Sequence, residues 1–350
     1  MSELRHDPLT GRWVVINPAR AKRPQETLGK TPDCPLCRGN EKVTPPEIYA
    51  VMPDGQGRKD YRGSNYGDWV LRDVPNKFSL LDLDSESRQL GRRGLGLYDR
   101  MDGYGAHEVI IECPGPEHIE IADCMPNDLS RIEMLLRLFK YRLGDLALNR
   151  KLIYFLLFKN YKPDAGASLS HPHCQLTGMP VIPIDALQEL ILNRLHFEEK
   201  NRCLLCDVIE QEMESKRRLV IETQNFIVFC PYASRFPGEM LLAPTPERHS
   251  HIFHDISNNL VTELAEVFVK MMKKLKVACE DPAYNWDLHS APVRFSRKNQ
   301  GETIEEDTHW HLHVYPRVTK IAGFEIGCGF YANPSPPEDI AQILRETQIQ

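Results

Sequence analysis

The sequence predicts an α+β fold built twice from one unit of short strands and a long helix. Three observations carry this expectation. Short runs rich in β-branched and aromatic residues, bounded by Pro or Gly, alternate with only two long amphipathic segments. A Cys-x-x-Cys occurs twice, at Cys34/Cys37 and at Cys203/Cys206. Behind each pair the same features follow in the same order: a strand with a histidine beyond it, a long helix, a second strand, and a segment with histidines one residue apart. Two such halves, 1–185 and 186–350, are expected to pack side by side.

Taken in order, "RWVVI", "HEVIIE", "KLIYFLLF", "NFIVF", "EMLLA" and "THWHLHVYP" are the expected strands. From Pro126 to Arg150, apolar residues fall at Ile132, Leu135, Leu136, Phe139, Leu143 and Leu146, a helical stripe opened by "PND". Asn259 to Ala278 repeats the pattern with Leu260, Leu264, Val267, Phe268, Met271 and Leu275. Residues 52–68, "MPDGQGRKDYRGSNYGD", are expected to form a polar, Gly-rich loop.

With 350 residues, 41% of them hydrophobic, the chain can bury a substantial core. A formal net charge of -6 argues against the broad basic face of a nucleic-acid binder, so a bound phosphate must be met locally. The N-terminal stretch carries charges at Glu3, Arg5 and Asp7 and no apolar core of signal-peptide length, and the run "LIYFLLF" is too short to cross a bilayer. A cytoplasmic protein with neither nucleic acid nor membrane as partner is the expectation. In such a chain the ten cysteines are expected to be reduced thiols or metal ligands.

The spacing in "CPLC" lets two thiolates reach one tetrahedral zinc ion from a tight turn, with His118 and His171 as candidate remaining ligands. A redox pair is the rival, but the surrounding "KTPDCPLCRGN" does not read as a strand-to-helix junction. Cys203 and Cys206 with His249 and His309 occupy the matching positions of the second half and are candidates for a second zinc. There the rival is a helix starting at "CLLCDVIE" with two buried cysteines, and "RHSHIFH" offers other histidines. Glu189, His289, His311 and His313 form another candidate set, since His311 and His313 share a strand face; a polar core of satisfied histidines is its alternative.

In "ASLSHPHCQL", His171, His173 and Gln175 are expected on one face of an extended segment. A neutral imidazole attacks through one ring nitrogen only while the other keeps its proton, and a carbonyl held nearby enforces that tautomer. If His171 is tied to a metal, the backbone beside it is fixed and supplies such a carbonyl to His173. Gln175 can then donate its amide to a phosphoryl oxygen, and the small residues of "AGAS" let the backbone approach phosphate. The rival is a pair of histidines in a buried polar strand.

These residues reach a family. "NYKPDAGASLSHPHCQ" resembles the active-site strand of galactose-1-phosphate uridylyltransferases, members of the histidine-triad (HIT) superfamily, and the likeness continues through "PARAKRP", "PNKFSLL", "HLHVYPR" and "AGFEIGCGFYANP". The resemblance implies a duplicated HIT-like fold, antiparallel sheets with helices packed on one side, and a homodimer whose sites borrow residues from the other subunit. It implies a nucleotide sugar and a hexose 1-phosphate as substrates: His173 attacks the α-phosphorus of UDP-glucose, glucose 1-phosphate leaves, and galactose 1-phosphate takes UMP. Carried over, Cys34, Cys37, His118 and His171 fall on structural zinc ligands, His173 on the nucleophile and Gln175 on the phosphoryl contact. Asn76, Asn160, Gly166 and Ser168 match nucleotide-contacting positions, and Arg20 and Arg23 match arginines near the phosphates. Glu189, His289, His311 and His313 fall on a second metal site, for zinc or iron, and Phe324 and Glu325 on hexose contacts. Three departures stand out: Cys174 where glycine is common, Phe324 for a tyrosine, and the second Cys-x-x-Cys set. The last resembles a branch that includes plant ADP-glucose phosphorylases, so the expected activity is the uridylyltransferase, with an ADP-glucose phosphorylase using the same histidine as its alternative. A non-catalytic zinc protein binding nucleotides or RNA is a third reading, which the acidic balance and the "HPHCQ" strand disfavour.

Overall fold

One long antiparallel sheet carries almost everything that matters for the site. The computed structural model describes residues 2–18, 34–61, 66–83, 93–115, 117, 119–125, 128–295 and 301–349. Its strands are β1 (Glu3–His6), β2 (Trp13–Ile16), β3 (Tyr49–Val51), β4 (Gly57–Lys59), β5 (Leu71–Pro75), β6 (Arg93–Leu95), β7 (Tyr98–Asp102), β8 (Ala106–Ile111), β9 (Tyr154–Tyr161), β10 (His173–Met179), β11 (Leu219–Glu222), β12 (Phe226–Phe229), β13 (Met240–Pro244), β14 (Tyr284–His289) and β15 (His311–Pro316). The helices are α1 (Leu129–Ala147), α2 (Ile184–Lys200), α3 (Leu204–Ser215), α4 (Val261–Ala278), α5 (Ile304–Asp307), α6 (Gly323–Cys328) and α7 (Pro337–Glu346).

The eleven-stranded sheet runs β11-β12-β13-β15-β14-β9-β10-β8-β5-β3-β4. Its order is nearly palindromic about the β14–β9 seam: β14, β15, β13, β12 and β11 on one side answer β9, β10, β8, β5 and β3 on the other. The seam is antiparallel, with Asn285 opposite Asn160, Trp286 opposite Lys159 and Leu288 opposite Leu157. Each half also holds one long helix before its seam strand, α1 before β9 and α4 before β14. This is the duplication that the repeat implied, in the HIT-like form that the family resemblance implied.

Strand alternation sorts the sheet into two faces. Leu157, Cys174, Leu176, Leu242, Trp286, Leu288, Leu312 and Val314 turn to the face covered by α1 and α4 and join one core with Phe139 and Phe268. The Trp286 ring meets Phe139 and Phe268 at centroid distances of 6.1 and 5.9 Å. His173, Gln175, His289, His311 and His313 are the intervening residues and so lie on the other face. With α1 and α4 on one side, the second side carries these polar side chains, and α2 reaches it through Glu189, 2.9 Å from His289.

The segment "RWVVI" forms the expected strand as β2, which belongs to a separate four-stranded sheet, β2-β1-β7-β6. The expected loop at 52–68 contains β4, paired with β3, because the Arg58 guanidinium is anchored on the buried Glu47 carboxylate at 2.9 and 3.0 Å. The helix offered as the rival to a second metal site is present as α3, with Cys203 at its N-cap, and it excludes nothing, since its first turn brings Cys206 toward His249 and His309.

Candidate functional site

The first half of the site starts from a tight turn. Cys37 N–H donates to the Cys34 carbonyl at 3.2 Å, which sets both thiols on one side, and both are buried beside Trp69. The His171 Nδ1 atom lies 3.5 Å from Cys34 Sγ and 3.4 Å from Cys37 Sγ. His171 Nε2–H donates to the Cys113 carbonyl at 2.8 Å, which leaves the Nδ1 lone pair aimed at the sulfurs. Burial, and then the neighbouring Cys34, push the Cys37 thiol up to about 12, so two thiolates need a cation between them. The three donors lie within 4.8 Å of one another and fit a thiophilic ion such as zinc. His118, the expected fourth ligand, lies outside the described residues, as do Arg20 and Arg23.

Two residues on, His173 Nδ1–H donates to the His171 carbonyl at 2.7 Å. The imidazole therefore carries its proton on Nδ1 and keeps a lone pair on Nε2. His173 lines a cleft with Asn76, Ser168 and Gln175, so four of the sequence-selected residues converge there. Asn160 and Gly166 stand one step back. Asn285 Nδ2 donates to Asn160 Oδ1 at 2.8 Å and to the Ala165 carbonyl at 2.9 Å, and Gly166 ends that turn at φ 85, a left-handed conformation glycine adopts freely. Together they brace the chain leading into Ser168. Phe324 and Glu325 do not line the cleft; they sit on α6, where Phe324 is 60% exposed.

Beneath the strand a buried ion cluster holds the frame. Lys159 Nζ binds the Glu112 carboxylate at 2.7 and 2.8 Å and Glu120 at 2.7 Å, and the Cys174 thiol donates to Glu112 at 2.7 Å. Arg131 Nη1 donates to the Glu112 carbonyl at 2.7 Å. Glu112 and Glu120 bracket the Cys113 carbonyl that orients His171. Cys174 thus fills a role no glycine could, and sequence reasoning missed the ion cluster because its members come from different elements.

The second half repeats the clasp. Cys206 Sγ lies 3.3 Å from His249 Nδ1 and 3.4 Å from His309 Nδ1, and with Cys203 these four donors converge within 4.8 Å. His249 Nε2–H donates to the Glu305 carbonyl at 2.9 Å, as His171 does to Cys113. His289, His311 and His313 form the third cluster. His289 sits between Glu189 at 2.9 Å and Asp287 at 3.1 Å, and His313 meets Glu239 at 2.9 Å. Burial works against charge on His289, yet Asp287 and Glu189 carry its value up to about 10, while burial presses His311 down to about 4. Three imidazoles and Glu189 could take a borderline cation; as the rings stand, carboxylates lie beside His289 and His313, while His311 Nδ1 approaches the His309 carbonyl at 3.2 Å.

The chain is 33% identical to an ADP-glucose phosphorylase of Arabidopsis thaliana, over 99% of this chain and 93% of that relative. The chain belongs to the family that unites ADP-glucose phosphorylases with galactose-1-phosphate uridylyltransferases. A galactose-1-phosphate uridylyltransferase of Thermotoga maritima shares 28% identity over the full length of both chains. Among solved structures, an ADP-glucose phosphorylase from Arabidopsis thaliana with bound ADP-glucose superposes with a TM-score of 0.75 at 32% identity, covering all of both chains. No protein-family model matches the chain. As a member of this family the protein is a nucleotidyltransferase, and nucleotide sugars are the substrates its relatives support. No helix among the described residues is long and apolar enough to cross a membrane.

Proposed function

We propose that the protein transfers a nucleotidyl group from a nucleotide sugar through a covalent adduct on His173. The observation that carries this reading is the 2.7 Å bond from His173 Nδ1–H to the His171 carbonyl, which puts the ring proton on Nδ1 and the lone pair on Nε2 in a residue that lines the cleft. Nε2 attacks the α-phosphorus, the bond to the bridging oxygen breaks, and the sugar 1-phosphate leaves with the electron pair. The acceptor oxygen then attacks the same phosphorus, and the imidazole departs neutral once its proton remains on Nδ1. Gln175 donates to a non-bridging oxygen as charge gathers, and Ser168 and Asn76 line the nucleotide's approach. A zinc ion held by Cys34, Cys37, His118 and His171 supplies a rigid frame rather than a chemical step.

Of the two donors, ADP-glucose is favoured, with phosphate as acceptor and ADP as product. The 33% identity to an ADP-glucose phosphorylase and the four-donor Cys203/Cys206/His249/His309 cluster support it. UMP transfer from UDP-glucose to galactose 1-phosphate is the second reading, supported by the full-length likeness to the Thermotoga maritima enzyme. The test is incubation with each nucleotide sugar, an alkaline quench, and mass analysis of the His173 peptide. Labelling by ADP-glucose, discharged by phosphate, is the expected result. Labelling by UDP-glucose alone, discharged by galactose 1-phosphate, selects the second reading, and an unlabelled His173 with both removes the proposal. A homodimer in which Phe324 and Glu325 reach the partner's hexose site belongs to the same proposal, and the exposure of Phe324 on α6 supports it.

A further inference from the structure

Two backbone N–H groups determine the state of three side chains at the cleft. Leu80 N–H donates to His107 Nδ1 at 2.9 Å, so the proton of the neutral His107 ring sits on Nε2. His107 Nε2 lies 3.0 Å from Gln175 Oε1, and the proton it carries is therefore donated to that oxygen. Phe78 N–H donates to Asn76 Oδ1 at 2.8 Å, which turns the Asn76 amide nitrogen inward, 3.4 Å from the same Gln175 oxygen. The 3.1 Å approach of Asn76 Nδ2 to His107 Nε2 brings together two donors that share one acceptor. Were Gln175 flipped, its own NH2 would face both donors and leave them unmet in a buried position, since His107 is 4% and Gln175 8% exposed. A backbone N–H can only donate, so the whole arrangement has one consistent state.

Register explains the meeting. In the β8–β10 ladder Gln175 is opposite Val109, which places His107 diagonally across on the same face. Asn76 follows β5 and bonds back through its N–H to the His107 carbonyl at 2.8 Å.

We propose that His107 is a positioning residue: it fixes the Gln175 oxygen inward and so presents the Gln175 N–H group to the phosphoryl group being transferred. This rests on the reading of Gln175 as the phosphoryl contact. Leu80 and Phe78 act through their backbone as the fixed ends of the relay, and Asn76 is the second donor that holds the same oxygen.

The test is a double-mutant cycle on the full-length, metal-loaded protein. His107→Leu is expected to slow formation of the His173 adduct in a single turnover by about 10- to 100-fold, less than the loss of a direct transition-state donor, while nucleotide-sugar affinity changes less than about threefold. In a Gln175→Ala background the same change is expected to cost less than about twofold, because the group through which it acts is gone. His107→Gln, which keeps a donor and an acceptor, is expected to recover part of the rate and covers the case in which leucine does not fold. An equal loss from His107→Leu in both backgrounds would overturn the proposal. Independently of activity, nitrogen-15 NMR of labelled histidine in the wild-type protein is expected to show the His107 ring protonated on Nε2; a proton on Nδ1 would overturn it. A wild-type protein that forms no adduct overturns the proposed function instead, and the ring measurement then decides the positioning by itself.

Discussion

At the residue scale the site turns on which nitrogen of each imidazole carries the proton. His171 gives Nε2–H to Cys113 and turns Nδ1 to the thiols, while His173 gives Nδ1–H to His171, and in the proposed reaction its Nε2 meets phosphorus. His173→Ala is expected to abolish the nucleotidyl adduct, read by mass, with unchanged metal content. Cys34→Ser is expected to lose the bound metal, read by elemental analysis, and to lower the rate by 10-fold or more, about the loss reported for disturbed metal frames. His289 supplies a pH test on chelator-treated protein. Its folded value is raised to about 10 from 6.5, so its stabilising share is complete below about 6.5 and disappears as pH rises through 10. His289→Gln is expected to melt lower than wild type at pH 6 by several degrees, with the gap closing toward pH 10, as followed by thermal unfolding. The motif "HPHCQ" announced His173 and Gln175 because its spacing is local. His107 was not legible, since its role depends on a strand register and on the Leu80 N–H, neither of which a one-dimensional pattern displays.

At the element scale, strands β8, β9 and β10 are locked by charge as well as by hydrogen bonds. Lys159 is 1% exposed between Glu112 and Glu120, and its removal leaves two buried carboxylates without their cation. Lys159→Met is expected to cost about 3–5 kcal/mol and to lower the melting temperature by about 10 °C, measured by calorimetry. Conversion of Glu112 and Glu120 to Gln in the same background is expected to restore much of the loss, since the carboxylates rather than the missing ammonium carry the penalty. The long helices were legible from apolar spacing alone, and α1 and α4 fall within the expected spans. Strand β4 was not, because "GRK" pairs through its backbone and through Arg58 on Glu47, with no apolar alternation to reveal it.

At the scale of the whole molecule, the sheet is one object although the sequence is two. Strands from residues before 185 occupy one end and strands after it the other, and we propose the 185/186 division as the boundary between the halves. The seam β9–β14 carries five paired positions, and Trp286 and Phe139 join the halves across it in one core. Fragments 1–185 and 186–350 produced separately are therefore expected to be insoluble or to expose apolar surface, measured by dye binding, while co-production is expected to yield a folded pair. The doubled order of cysteines and histidines revealed this arrangement in advance; the seam itself was hidden, because pairing between distant strands leaves no local signature.

The mirror order of the strands sets two imidazoles in matching places. His311 Nδ1 approaches the His309 carbonyl at 3.2 Å, the same relation that His173 bears to His171, and it does so one strand from the seam, as His173 does. The two rings nevertheless meet different surroundings: His173 lines the cleft, whereas His311 is 6% exposed, stacks on His289 at a centroid distance of 4.6 Å and has Glu189 at 3.8 Å, so the same backbone relation serves an open ring in one half and an enclosed one in the other.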